Sequence, residues 1–310
     1  MVFTGENMIL PLTGLCLKST RKLTFLTAIL VFLCLGCATS VKKVPAGLVE
    51  KKVATPMPLR LSNQLPKEFN FVQVNTFTKI FEDDQIAQEK LSRVDFILSV
   101  EKSGAPGQDI LNWQLQTISK DGMMNLHDFA YPELEETLKL VIKNNGEVII
   151  ADEKPKDSVF YVPIISLPDG PIQVGETWTL KTQWIAASGL PLELEMVSTL
   201  ENFYSCLEFP VDTCALIDVS GRVSIVGMDD KQIKFQSQSR GKILFNVEKG
   251  LIERVKMFSR DKVVGIDKVV ETVSCNTLQI AQTDKRESLA PNSLLKCDYN
   301  NSNQDVITLF

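Results

Sequence analysis

The sequence predicts a mainly β protein, built as an antiparallel meander that forms a curved sheet, a half-barrel or a sandwich, with few short helices. Two observations predict this class. Alternating apolar and polar residues rich in Val, Thr and Phe recur along the chain, beginning with FNFVQVNTFTKIF at 69–81. Gly, Pro and Asn residues typical of tight turns separate these runs. Because few helices are predicted to cover a sheet face, the sheet must curl or pair with a second sheet to bury its apolar side.

The N-terminal β-rich half, residues 67–160, contains three single strands and a hairpin. These elements are predicted at 69–81, 93–101, 109–119 and 137–153. Asn145 and Gly146 supply the positive φ angles that a tight hairpin turn needs. The stretch 82–92 is predicted as a short helix or an exposed loop, and 132–138 as a short helix.

The C-terminal β-rich half, residues 161–280, repeats this style. Strand-forming runs are predicted at 160–166, 192–204, 214–227 and 231–240, with one strand carrying Trp178 and Trp184 and a hairpin at 241–264. That hairpin turns at Lys249 and Gly250, much as the first hairpin turns at Gly146. Two similar halves and two unrelated hairpins are both compatible with this pattern. Residues 281–310 lose the periodicity and are predicted to be a partly disordered tail.

The first 36 residues have the organisation of an export signal. Lys18, Arg21 and Lys22 precede an uncharged apolar run of 13 residues, Leu23 to Leu35. As a helix this run is about 20 Å long, which is short of the roughly 30 Å hydrocarbon core of a bilayer. It therefore predicts a signal peptide over 1–36 rather than a spanning helix. Both Met1 and Met8 are candidate start residues.

The signal ends in FLCLGCATS, which resembles the lipobox of bacterial lipoproteins. The resemblance implies cleavage before Cys37, attachment of lipid to its thiol and acylation, for example with palmitate, of the new amino group. Cys34 stands where the pattern usually has Leu. The two cysteines also have the spacing of a redox C-x-x-C pair or half a zinc site. An ordinary cleaved signal and an uncleaved anchor are compatible with the same stretch.

The residues after the anchor predict a tether and an acidic body. Residues 38–66 contain four prolines and no regular period, so 37–66 is interpreted as a lipidated cysteine with a flexible tether of about 30 Å mean reach. The formal net charge is −5, although the signal region is basic. Because the sequence has no long cluster of Lys and Arg that could neutralise phosphates, the chain is not predicted to bind nucleic acid. Membrane attachment is therefore expected through the lipid, and Ala38 is compatible with outer-membrane sorting.

Four cysteines follow the anchor: Cys206, Cys214, Cys275 and Cys297. An even number in an exported chain predicts two disulfides, with three possible connectivities. Pairing of sequence neighbours is the simplest and would place Cys206 and Cys214 at the base of one turn. Cys275 and Cys297 would then hold the tail to the body. Four buried free thiols are the alternative.

No catalytic constellation is found, so the protein is predicted not to be an enzyme and to use no metal or cofactor. The G-x-S-x-G elbow, the P-loop and the dinucleotide fingerprint are absent from the sequence. His127 is the only histidine and is interpreted as a polar turn residue beside Asp128. Adjacent acidic residues such as Glu135 and Glu136 are interpreted as solvated loops, with weak Ca²⁺ binding as an alternative.

The segment LPDGPIQVGETWTL at 167–180 is similar to one found in uncharacterised β-rich bacterial envelope lipoproteins. In it, Gly175 suits a tight turn, and Trp178 is expected to anchor that turn on the sheet as a structural residue. A long meander after a lipobox is also similar to the curved half-barrels of periplasmic lipoprotein carriers and lipid-binding lipoproteins. This likeness implies an apolar concave face that holds an acyl chain.

Three functions are compatible with these observations. The first is a membrane-anchored, non-enzymatic envelope lipoprotein that binds a hydrophobic ligand or a partner protein through a curved β body. The second is a structural or assembly subunit of an envelope complex, and the third is a hydrolase that uses paired carboxylates. The expected location is the outer membrane, facing the periplasm or the cell surface.

Overall fold

The computed structural model describes residues 48–64, 70–102, 110–122, 125–227, 234–265 and 268–281, which all belong to one compact unit, 44–310. The predicted signal peptide, residues 37–47 and 65–66 of the predicted tether, among them Cys37, and the tail after residue 281 lie outside these ranges. The strands are β1 Met57–Pro58, β2 Phe71–Glu82, β3 Gln85–Lys102, β4 Ile110–Asp121, β5 Thr137–Lys143, β6 Val148–Ala151, β7 Pro171–Ile172, β8 Thr177–Ile185, β9 Pro191–Ser205, β10 Thr213–Ile225, β11 Lys234–Asn246, β12 Leu251–Val264 and β13 Val269–Ala281. Within the described ranges, the helices are two 3-10 turns, Leu126–Phe129 and Val159–Tyr161.

The predicted fold class is confirmed, because eleven strands form one curved, antiparallel sheet that does not close. The strand order is β6-β5-β4-β3-β2-β13-β12-β11-β10-β9-β8, and β1 pairs separately with β7. The predicted N-terminal half supplies β2 to β6, and the predicted C-terminal half supplies β8 to β13. The halves meet in the middle of the sheet, where β13 pairs with β2. From β2 the chain runs strand by strand to one edge at β6. It then continues to the opposite edge at β8 and returns strand by strand to β13.

The curvature has a local cause in the register of the strands. Shifts that place two residues opposite one interrupt five of the pairings, and such bulges bend a strand and increase its twist. They fall at Ile80/Phe81, Asp95/Phe96, Val141/Ile142, Leu216/Ile217 and Leu244/Phe245. The sheet therefore has a concave side on which apolar side chains converge.

Alternation along the strands divides the side chains between two faces. We call the face that carries Val72, Val74 and Phe96 the inner face; it forms the main hydrophobic core. Three segments, which contain the short strands β1 and β7 and the two 3-10 turns, pack against it: 57–64, 125–136 and 153–172. We call these segments the cover. Their buried side chains are Leu59, Leu61, Leu126, Phe160, Ile165, Leu167 and Ile172.

The cover is attached to the tips of the two predicted hairpins. Both turns form, and their glycines have positive φ, 95° at Gly146 and 60° at Gly250, whereas Asn145 does not adopt the positive φ expected of it. The backbone N–H of Leu61 donates to the carbonyl of Asn144 at 2.7 Å, and that of Ser62 donates to the carbonyl of Gly250 at 2.9 Å. One short piece of chain therefore connects the turn between β5 and β6 with the turn between β11 and β12.

Three local predictions are wrong. Residues 82–92 are neither helix nor loop, because Asp83 and Asp84 form a tight turn with positive φ and β3 begins at Gln85. Within 132–138 there is no helix: β5 starts at Thr137, and the nearest 3-10 turn lies earlier, over Leu126–Phe129. The run 160–166 is not a strand, since its apolar side chains belong to the cover.

Candidate functional site

The inner face and the cover enclose an apolar pocket of about 60 Å³. Its floor consists of side chains from five adjacent strands, β4, β3, β2, β13 and β12. Its roof consists of Asn63, Tyr131 and Ile164 from the three segments of the cover. None of the residues that line it carries a formal charge. The pocket therefore lies where the sheet curves, at the junction of the two halves, and is suited to apolar groups.

Two residues of the lining each have a buried side-chain donor without a hydrogen-bond partner among the described residues: Nε1 of Trp113 and Nδ2 of Asn63. Trp113 is only 7% exposed, so its indole N–H is not compensated by bulk water. Buried donors in native proteins are almost always paired, and an exception calls for an explanation.

The conformation of Asn63 is unusual and is fixed by its neighbours. Its φ is 44°, in the left-handed region that asparagine tolerates better than most residues. Its backbone N–H donates to the carbonyl of Gly250 at 3.0 Å. The hairpin tip at Gly250 therefore determines where the Asn63 side chain stands in the pocket. Left-handed non-glycine residues often occur at functional sites.

Tyr131 is another residue of the cover that lines the pocket. Its ring lies 4.9 Å from the Phe96 ring, centroid to centroid, at an interplanar angle of 43°. Burial raises the pKa of Tyr131 to about 12, because the phenolate would lose its hydration. The surroundings of this phenol therefore disfavour charge.

The structure describes one predicted disulfide directly. Cys206 and Cys214 are bonded, with Cα atoms 5.0 Å apart, at the end of β9 and the start of β10. Cys275 on β13 is also disulfide-bonded, and its predicted partner Cys297 lies outside the described residues. The Cys206–Cys214 bond belongs to a small second cluster of buried residues, separate from the main core.

A buried carboxylate lies beside this disulfide. Glu253 is 1% exposed and accepts the backbone N–H groups of Leu207 at 2.9 Å and Glu208 at 2.8 Å. An oxygen of Glu253 and the two cysteine sulfurs lie within 4.8 Å of one another. Because the sulfurs are bonded to each other and the carboxylate holds the turn, this cluster is a structural brace rather than a metal site.

The predicted structural residues Gly175 and Trp178 lie where the chain enters β8. Gly175 has a φ of 90°, and its N–H donates to the carbonyl of Leu200 at 2.7 Å. The indole Nε1 of Trp178 donates to the carbonyl of Ser166 at 2.8 Å, so this ring ties the cover to the edge of the sheet. Trp178 and Trp113 thus differ: the indole N–H of Trp178 has a hydrogen-bond acceptor among the described residues, and that of Trp113 has none.

His127 interacts with a residue other than the one its sequence position suggests. Its Nε2 lies 2.7 Å from Oε2 of Glu136, whereas Asp128 is only its neighbour in the same 3-10 turn. Oε1 of Glu136 accepts from Nζ of Lys154 at 3.0 Å. The hydrogen bond from His127 is the main cause that lowers the pKa of Glu136 to about 2. The interpretation of Glu136 as a solvated loop residue is therefore wrong, because this cluster braces two segments of the cover.

Fold and pocket together define an open, curved β-sheet protein with an apolar internal site. No protein-family model matches the chain, and no curated protein resembles its sequence at a significant level. Within the described residues, no helix combines the length and apolar character needed to cross a bilayer.

Proposed function

We propose that this protein is a membrane-anchored, non-enzymatic lipoprotein of the bacterial envelope that binds a hydrophobic ligand on the inner face of its curved sheet. The observation that carries the proposal is the uncharged, almost wholly apolar pocket between sheet and cover. Such a pocket is suited to the apolar part of a ligand.

Anchoring is the second part of this proposal. Lipidation at Cys37 would hold the acidic body at the outer membrane, facing the periplasm or the cell surface, without a basic patch. Two long acyl chains contribute roughly 15 kcal/mol or more to membrane binding, at about 0.8 kcal/mol per buried CH₂ group. Mass spectrometry of the mature N-terminus tests this directly. We expect a diacylated or triacylated Cys37, and an unmodified Cys37 would contradict it.

The size of the pocket sets a condition on ligand binding. A cavity that binds benzene in a protein core measures about 150 Å³, and the pocket here is about 60 Å³. A whole acyl chain therefore requires part of the cover to move. Ile164 is suited to this movement because it lines the pocket and is nevertheless 45% exposed.

The test is to purify the full-length protein from membranes, extract it with organic solvent and identify bound lipid by mass spectrometry. Val74→Phe should fill the pocket, because Val74 lines it and is 5% exposed. Val197→Phe is the matched control, since Val197 is 37% exposed on β9 and does not line the pocket.

We expect lipid with the wild type and with Val197→Phe, and its loss from Val74→Phe while the melting temperature stays within a few degrees. Equal lipid in all three proteins would contradict binding at this pocket. A wild type that carries no lipid would favour the alternative of an assembly subunit.

A further inference from the structure

We propose that the C-terminal segment of this chain, residues 282–310, docks on the outer face of the sheet, where a disulfide between Cys275 and Cys297 holds it against a row of apolar side chains. The outer face is the side of the sheet opposite the inner face. The inference goes beyond the proposed function, because it assigns a second interaction surface and names its occupant.

The apolar row crosses four neighbouring strands. Phe77 of β2 is directly opposite Leu91 of β3 on one side and Cys275 of β13 on the other, and Cys275 is opposite Phe258 of β12. Alternation along each strand places all four side chains on the outer face. The next outer-face residues along these strands are mostly polar or charged, among them Lys79, Glu89, Arg93, Lys256 and Arg260. The row is therefore an apolar strip on a polar face, the kind of feature that marks an interaction site.

A covalent bond already connects this row to a part of the chain outside the described residues. Cys275 is 4% exposed and disulfide-bonded, while the other two described cysteines are bonded to each other. The partner is therefore Cys16, Cys34, Cys37 or Cys297. The first two belong to the predicted signal peptide, and Cys37 is the proposed site of lipidation. On the proposed export and lipidation, Cys297 is the partner.

The chain is long enough to make this bond. β13 ends at Ala281, six residues beyond Cys275, which corresponds to about 20 Å along the strand. Residues 282–296 connect Ala281 with Cys297 and span up to about 50 Å when extended. The segment can therefore turn back over the outer face of β13. Gln73 and Asn75 of β2 lie beside that path, and they are 0% and 6% exposed although their side chains are polar.

The residues beside Cys297 have the chemistry that the row requires. A disulfide holds its two Cα atoms within about 7 Å of each other, so these residues lie over β13 and its neighbours. Leu294 and Leu295 precede Cys297, and Tyr299 follows it. Adjacent strands are about 4.8 Å apart, so these side chains can reach Leu91, which is two strands away and 46% exposed.

The first test identifies the partner of Cys275. The full-length protein is purified without reductant, its free thiols are blocked, and its linked peptides are identified by mass spectrometry after digestion. We expect the peptide that contains Cys275 to be linked to the peptide that contains Cys297, in a protein that migrates as a monomer without reductant. A link to Cys37, or to a second copy of the chain, would overturn the inference.

Hydroxyl-radical footprinting tests the docking itself, because the oxidation rate of a phenylalanine follows its exposure. The double variant Leu294→Asp, Leu295→Asp keeps the disulfide and places charge against the row. We expect it to raise the oxidation rates of Phe77 and Phe258 about threefold or more, because the apolar strip becomes exposed to water. Phe235 is the matched control, since it is also half-buried but lies on the inner face of β11, and its rate should stay unchanged.

Cys297→Ser is the second variant, because it removes the bond and keeps the two leucines. It should raise the oxidation rates of Phe77 and Phe258 as well, with Phe235 unchanged. Unchanged rates of Phe77 and Phe258 in both variants would overturn the docking, even with the disulfide present. If Phe235 is also oxidised faster in one variant, that variant has unfolded and the other decides. Neither test uses the ligand, so this inference and lipid binding fail separately.

Discussion

Gly146 lies directly against the carbonyl oxygen of Ile165, so closely that a Cβ atom on residue 146 would overlap it. The turn between β5 and β6 thus receives the cover at a point where only glycine fits. We expect Gly146→Ala to lower the free energy of unfolding by about 3 kcal/mol, from strain at positive φ together with overpacking. Urea denaturation measures the loss.

Gly189→Ala is the matched control for this prediction. Gly189 also has positive φ, at 80°, but an added Cβ would meet nothing within 4 Å. Its substitution should cost about 1 kcal/mol, from backbone strain alone. Equal losses in the two variants would show that contact with the cover contributes nothing to the requirement for glycine at 146.

Much of the fold was predictable because turn chemistry and alternation are local signals. Gly146 and Gly250 supply the positive φ of the two turns, and both predicted hairpins exist. The error at 82–92 has a physical cause. Gln85 to Glu89 are exposed, beyond the cover, so neither face of β3 there needs apolar residues and the alternation disappears. The feature of the sequence that still indicated a turn was the pair Asp83-Asp84, because aspartate tolerates the left-handed conformation that both residues adopt.

The disulfide between Cys206 and Cys214 closes a short loop, with a sequence separation of eight. Chain-entropy reasoning gives about 2.5 kcal/mol of stabilisation for a loop of this length. The double variant Cys206→Ala, Cys214→Ala should therefore have a free energy of unfolding lower by about 2.5 kcal/mol, measured by urea denaturation under non-reducing conditions. A change below about 0.5 kcal/mol would mean that the brace of Glu253 holds the turn without the covalent bond.

Glu253 is expected to act together with that disulfide. Glu253→Gln leaves one oxygen and replaces the other by an amide nitrogen, which would face the N–H of Leu207 or Glu208. An unmet buried donor costs about 1–3 kcal/mol, so we expect a loss in that range. Because both features hold the same turn, the triple variant should lose less than the sum of the separate losses. Strict additivity would contradict this coupling.

The candidate site was much less predictable than the fold. The alternation of NWQLQ places Trp113 on a buried face, but nothing local reveals that its indole lacks a partner. Asn63 lies fifty positions earlier in an irregular segment and reaches the pocket only because Gly250 accepts its backbone N–H. Whether a donor is satisfied depends on such distant contacts. His127 presents the same difficulty, since its partner Glu136 is brought to it by the turn at 132–136 rather than by sequence adjacency.

The pairing of His127 with Glu136 predicts an acid-sensitive cover. The pKa of Glu136 is lowered to about 2, mainly by the hydrogen bond from His127 and also by the Glu133 N–H and Lys154. A carboxyl whose pKa is lower in the folded than in the unfolded state stabilises the fold above its unfolded pKa of about 4.5. That contribution is lost as the pH falls from about 4.5 through 2.

Urea unfolding of the wild type and Glu136→Gln at pH 7, 4.5 and 2.5 checks this. The wild type should be more stable than the variant at pH 7, and the difference should shrink towards pH 2.5, because below about pH 4.5 this carboxyl is protonated in the unfolded chain and folding must release that proton. Glu101→Gln, at an exposed position on β3, is the control and should show no comparable change of the difference with pH. A constant gap between wild type and Glu136→Gln across the three pH values would show that the carboxylate charge does not brace the cover.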